Sequence, residues 1–103
     1  MIPMRETASQ VSLLLKVLAH PERLMIACLL VGQELSVGAI ERMLGIGQPG
    51  LSRHLTSLRA ARVVNFRREG SSVFYHLADE KAGHVIAALH TIYCEPRVDD
   101  GAF

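Results

Sequence analysis

The chain has no tryptophan, and three phenylalanines and two tyrosines make up its aromatic complement. A core must therefore be aliphatic, which a composition that is 50% hydrophobic permits, and that bias favours packed helices. Long apolar runs are missing as well. The longest, Leu24 to Val31, has eight residues, far short of the roughly 20 that cross a bilayer as a helix. No apolar leader followed by a small-residue cleavage site opens the sequence. The chain therefore reads as cytoplasmic, with no membrane partner. Cysteine is reduced to Cys28 and Cys94, and in a reducing compartment such a pair is not expected to form a permanent staple. No nucleophile–base pair at a recognisable spacing, phosphate loop or paired-carboxylate site is present. The triplet Gly45-Ile46-Gly47 neither follows a strand nor lies in a βαβ unit, so it is no dinucleotide fingerprint. The chain is expected to be no enzyme, with no catalytic residue and no cofactor.

An excess of charge is also lacking: the net value is +1. Its distribution is uneven. Between Gly47 and Leu77 stand five arginines (53, 59, 62, 67 and 68) against one acid, Glu69. A basic segment in an otherwise acidic chain is the electrostatic footprint of a nucleic-acid contact; a solvated helix face is the competing reading.

With 103 residues there is room for a single domain, 1–103. Its ordered core is expected over about 6–95, with loose ends at 1–5 and 97–103. Val11, Leu14, Leu15 and Leu18 recur at helical spacing, predicting an amphipathic helix over Glu6–Leu18. Pro21 interrupts it and suits the first turn of a second helix, Glu22–Val31, which is apolar nearly all round and expected to be buried. Ser36 is a good cap for a third, short helix that carries Ile40, Met43 and Leu44 and stops at Gly45. After the turn Gly45–Gly47, a fourth helix with Pro49 in its first turn runs to about Ala61. Two short helices joined by a glycine turn make a helix-turn-helix. The period then drops from 3.6 to 2: "VVNFRR" and "SSVFYHL", separated by "EGS", predict a β-hairpin with Val73, Tyr75 and Leu77 on one face. A last helix starts near Asp79, continues through Ile86 and Leu89 to Tyr93 or Cys94, and is stopped by Pro96. The fold class is mainly α with a small β-hairpin wing, a winged helix-turn-helix.

The fourth helix divides its labour between two faces. Leu51, Leu55 and Leu58 are spaced to hold it to a core. Gln48, Ser52, Arg53, His54 and Thr56 are the candidate DNA contacts near the end that enters a major groove. Arginine and glutamine carry paired groups that match guanine and adenine edges, each good bidentate contact being worth about 1–3 kcal/mol of discrimination. Arg67 and Arg68 on the wing would add salt-sensitive phosphate contacts. A winged helix used only for protein contacts is the competing binding class.

The segments "LKVLAHPERLMI" (15–26), "QPGLSRHLTSLRAARVV" (48–64) and "RREGSSVFYHL" (67–77) resemble the ArsR/SmtB family of bacterial winged-helix repressors over about residues 6–95. The resemblance implies a homodimer joined through the first and last helices, bound to double-stranded operator DNA and released by an inducer. Gly47 and Gly50 stand where the family often has Ser or Thr, and Ser71 where a basic residue commonly follows the wing glycine. Wing contacts are therefore expected to rest on Arg67 and Arg68. The family's thiolate metal box reads "ELSVGAI" here, with Ser36 and Gly38 in place of cysteines, and neither binds a soft metal as Cys does. On the last helix His84 and His90 are six residues apart and do not share a helix face. No metal site is expected.

Cys28, in "RLMIACLL", and Cys94, in "ALHTIYCEP", are similar to the two-cysteine pattern of the BigR/SqrR branch, which senses sulfide, persulfide or oxidants. That resemblance implies that the two thiols approach closely enough to be bridged by a disulfide or polysulfide, with a reactive sulfur species or an oxidant as inducer. The alternative is a repressor that responds to a metal or another unidentified inducer, its cysteines being small buried hydrophobes.

Overall fold

A computed structural model of the chain describes residues 3–93. It contains α1 (Met4–Leu18), α2 (Pro21–Leu29), β1 (Leu35–Ser36), α3 (Val37–Leu44), α4 (Gly50–Ala60), β2 (Val64–Glu69), β3 (Ser72–Leu77) and α5 (Glu80–Tyr93). The order is the one expected, with β1 added. Among the described residues no helix is long and apolar enough to cross a membrane.

Local chemistry explains most of the boundaries. His20 is the extended residue before Pro21, and its Nδ1 accepts from the Glu22 backbone N–H at 3.2 Å, capping α2. Ser36 Oγ accepts from the Ala39 N–H at 3.1 Å and caps α3. Gly45 ends α3 at φ 67°, and a left-handed cap of this kind favours glycine. Asp79 Oδ1 accepts from the Lys81 N–H at 2.9 Å at the head of α5.

The end of α4 is less ordinary. Arg62 N–H donates to the Arg59 carbonyl and Val63 N–H to the Leu58 carbonyl, both at 2.9 Å. This is the paired pattern of a Schellman cap, in which a left-handed residue is usually glycine. Here the left-handed residue is Arg62, at φ 63°. The hydrophobic contact that accompanies such caps comes from Leu58 and Val63, both buried.

The sheet is three-stranded and antiparallel, in the order β1-β3-β2. Sequence patterning foresaw the β2–β3 hairpin and missed β1, whose two residues are too few to display a period. Leu35 pairs with Tyr75 and Ser36 with Phe74. Between β2 and β3 the ladder closes at Glu69 opposite Ser72, and Gly70 takes the left-handed φ of 63° in the two-residue turn.

The core gathers Ile26 and Leu30 from the α2 region, Ile40 from α3, Leu51, Leu55 and Leu58 from α4, Val63 and Val64, and Ile86 from α5. The three α4 leucines are 0, 2 and 0% exposed, which fixes the orientation of the opposite, polar face. The first helix departs from expectation. Leu18 is buried and Leu14 packs against the core, while Val11 and Leu15 are exposed together with Leu13. One side of the amphipathic pattern meets this protomer's core and the other is left facing outward, as are Val85, Ile92 and Tyr93 on α5.

Candidate nucleic-acid interface and thiol site

The residues expected to touch DNA fall into two groups. Arg53 and Thr56 are exposed on α4, and Arg53 makes no ion pair with another described residue. Gln48 and Ser52 are exposed as well but are coupled to each other. Gln48 Oε1 accepts from the Ser52 backbone N–H at 3.1 Å and from the Ser52 hydroxyl at 2.6 Å. The residue at the N-cap, Pro49, has no side-chain cap to offer, so Gln48 performs that task from one position upstream. Its amide nitrogen keeps its donors, but the acceptor half of the fork anticipated for an adenine edge is already used.

His54 turns inward. Its ring is half-buried, Nε2 lies 3.0 Å from Glu22 Oε1, and its centroid is 4.5 Å from that of His20. These contacts tie α4 to the head of α2, a role that spacing along α4 alone did not reveal. On the wing, Arg68 is exposed, with its guanidinium carbon 5.5 Å from the Phe66 ring centroid. Arg59 of α4 covers the same ring at 4.3 Å. The basic surface beside the wing therefore includes Arg59, which spacing alone does not distinguish from the rest of the charge run.

Arg67 is exposed, but its guanidinium is engaged by carboxylates of the protein itself. Nε donates to both oxygens of Glu34 at 2.9 Å, Nη2 lies 2.9 Å from Glu34 Oε1, and Nη1 donates to Glu69 Oε1 at 2.6 Å. The guanidinium lies 4.8 Å from the Phe74 ring centroid. His76 Nδ1 is 3.4 Å from Glu34 Oε2, within ion-pair range but without hydrogen-bond alignment. The hydrogen bonds and charge of Arg67 hold the Glu34 carboxyl below the usual carboxylate range, and Glu34 and then Glu69 push the Arg67 pKa further up. Glu34 lies 33 residues away in the chain, so local spacing does not reveal this partner of the arginine expected on phosphate.

Cys28 is half-buried on α2. It lines an apolar recess of about 640 Å³ together with Leu24, Met25, Leu44, Leu89 and Tyr93. Tyr93 immediately precedes Cys94, which lies outside the described residues. His90 also lines this recess, whereas His84 is exposed on another part of α5. Among the described residues no group of three His, Cys, Asp or Glu side chains is placed to hold a metal ion.

A helix-turn-helix whose second helix shows a polar, partly cationic face, flanked by an antiparallel wing, defines a winged helix-turn-helix DNA-binding module. Residues 20–65 match the family described as "Bacterial regulatory protein, arsR family". The chain is 50% identical to the biofilm growth-associated repressor of Agrobacterium fabrum, over 90% of this chain and 80% of that one. Among solved structures it is similar to the transcriptional repressor BigR from Xylella fastidiosa, with 47% identity, a TM-score of 0.81 and coverage of 88% of this chain and 90% of that one. It also resembles HlyU from Vibrio cholerae, a protein named as a transcriptional activator, with 39% identity, a TM-score of 0.86 and coverage of 89% and 100%. The chain belongs to the arsR family of bacterial regulatory proteins, whose members are transcriptional regulators and not enzymes.

Proposed function

We propose that this protein is a dimeric transcriptional repressor that leaves its operator when Cys28 and Cys94 become bridged. The observation that carries the thiol part is the position of Cys28. It lines an apolar recess that Leu89, His90 and Tyr93 of α5 also line, and Cys94 is the next residue in the sequence. The similarity to repressors from Agrobacterium and Xylella supports the direction of regulation. Arg53 and Thr56 on α4 and Arg68 on the wing make the DNA contacts, with Gln48 and Ser52 positioned at the head of the recognition helix. The apolar residues left outward on α1 and α5 supply the dimer face, since small domains bury too little surface alone.

The chemistry balances with a persulfide as the incoming reagent. One cysteine thiolate takes the terminal sulfur of the persulfide, releasing the donor's thiolate and becoming a persulfide itself. The second thiolate attacks the inner sulfur and expels hydrosulfide, leaving a disulfide; where both cysteines have first become persulfides, the terminal sulfur of one attacks the inner sulfur of the other and expels hydrosulfide, leaving a trisulfide. The bridge joins α2, which holds His54 of α4 through Glu22, to the end of α5. The two recognition helices must be spaced by about 34–36 Å to meet successive major grooves, and a bridge that shifts them weakens binding. A coupling of about 1–3 kcal/mol corresponds to a 5–150-fold loss.

The test is intact mass and operator affinity before and after persulfide treatment, for wild type, Cys28→Ser and Cys94→Ser. The expected result is loss of affinity in wild type only. Unchanged affinity in fully bridged wild type overturns the thiol switch, and release by zinc in all three proteins favours a metal inducer.

A further inference from the structure

The ion-paired arginine on the wing has a consequence for how this protein binds nucleic acid. Arg67 and Arg68 are adjacent on β2, and adjacent strand residues project from opposite faces of a sheet. Arg68 shares its face with Phe66 and the Arg59 guanidinium that covers it. Arg67 projects from the other face, passes over Phe74 of β3 and reaches Glu34, the residue before β1, so its side chain crosses the central strand. One guanidinium is there shared by two carboxylates. The two carboxylates outnumber the guanidinium they share, so a phosphate approaching Arg67 meets their negative charge as well. Exposed ion pairs are individually weak. Replacing Glu34 by a phosphate, however, exchanges one bidentate anion for another and leaves two carboxylates facing the DNA backbone.

We propose that Glu34 and Glu69 withhold Arg67 from DNA, so that Arg68 is the phosphate-binding arginine of each wing and Glu34 limits the protein's affinity for DNA of any sequence. Glu34 acts through Arg67 and is a positioning residue. The inference rests on the DNA-binding reading above.

The experiment measures binding of the full-length protein to a labelled random-sequence duplex as a function of salt. Each phosphate contact contributes about 0.9 to the slope of log affinity against log salt. That is about a 3.5-fold change in affinity between 50 and 200 mM salt per contact. Arg67→Met, which keeps the stem over Phe74, is expected to leave the slope unchanged, and Arg68→Met to flatten it by about 0.9 per wing. Glu34→Gln, which leaves Glu69 on the guanidinium, is expected to steepen it by up to that amount, and the gain is expected to vanish in Glu34→Gln/Arg67→Met. Glu69→Gln replaces Glu34→Gln in the series should the latter fail to fold. Flattening by Arg67→Met equal to that by Arg68→Met overturns the proposal, as does a gain from Glu34→Gln that survives without Arg67. Loss of the DNA-binding reading itself has a separate signature: neither Arg53→Ala nor Arg68→Met alters binding to any duplex.

Discussion

Arg62→Gly is expected to stabilise the protein, although it removes a charged side chain from the exit of the recognition helix. Arg62 holds a left-handed backbone, φ 63°, inside a Schellman cap. For a residue with a Cβ that conformation costs roughly 1–2 kcal/mol. Glycine relieves it but loses about 0.4–1 kcal/mol through the greater freedom of its unfolded chain. Across these ranges the net gain is about 0–1.6 kcal/mol, with its middle near 0.8 kcal/mol. The Arg62 side chain is exposed and has no ion-pair partner among the described residues, so little opposes that gain. Arg62→Ala is the matched control, since it removes the same charge but keeps the Cβ and hence the strain. For a domain of this size 1 kcal/mol moves Tm by about 4–8 °C, so the middle of that range puts Gly roughly 3–6 °C above Ala. Thermal unfolding followed by far-ultraviolet circular dichroism reads this, at one protein concentration because association itself raises Tm. A glycine variant that melts no higher than the alanine variant refutes the account of this cap.

Other outcomes follow from single contacts. Ser36→Ala removes the only side-chain cap of α3 among the described residues and should lower stability by about 1 kcal/mol, measured by urea unfolding with an unchanged m-value. Arg53→Ala should reduce discrimination between operator and random duplex by about 1–3 kcal/mol, whereas Arg68→Met should weaken both by similar factors; competition binding separates the two. Glu34 is held below its ordinary value of 4.5 by Arg67. Its contribution is present above that unfolded-state value and is lost as pH falls through the lowered folded value. The Tm gap between wild type and Glu34→Gln should therefore be open at pH 7 and close on acidification below about 4.5; a gap that widens in acid contradicts the assignment.

The helices were legible because their signals are local. Leu51, Leu55 and Leu58 declare a buried stripe by spacing alone, and Ser36, Pro21 and Gly45 mark ends by the chemistry of one or two residues. The hairpin was legible for the same reason. The strand β1 was not, because two residues carry no period and become a strand only when β3 is beside them. The candidate site divides in the same way. The polar face of α4 could be read directly, while the retention of His54 and Arg67 could not, since their partners Glu22 and Glu34 lie 32 and 33 residues away.

By itself the order of residues determined which faces are apolar, where the helices lie to within about two residues at their ends, and that a basic recognition helix is followed by a wing. Periodicity and capping act within a few residues, so no knowledge of the fold is needed to apply them. Tertiary structure alone decided which cations face a carboxylate. It brought Glu22 to the recognition helix and Glu34 across the sheet to Arg67, and a guanidinium or imidazole already facing a carboxylate presents a different charge to DNA from a solvated one.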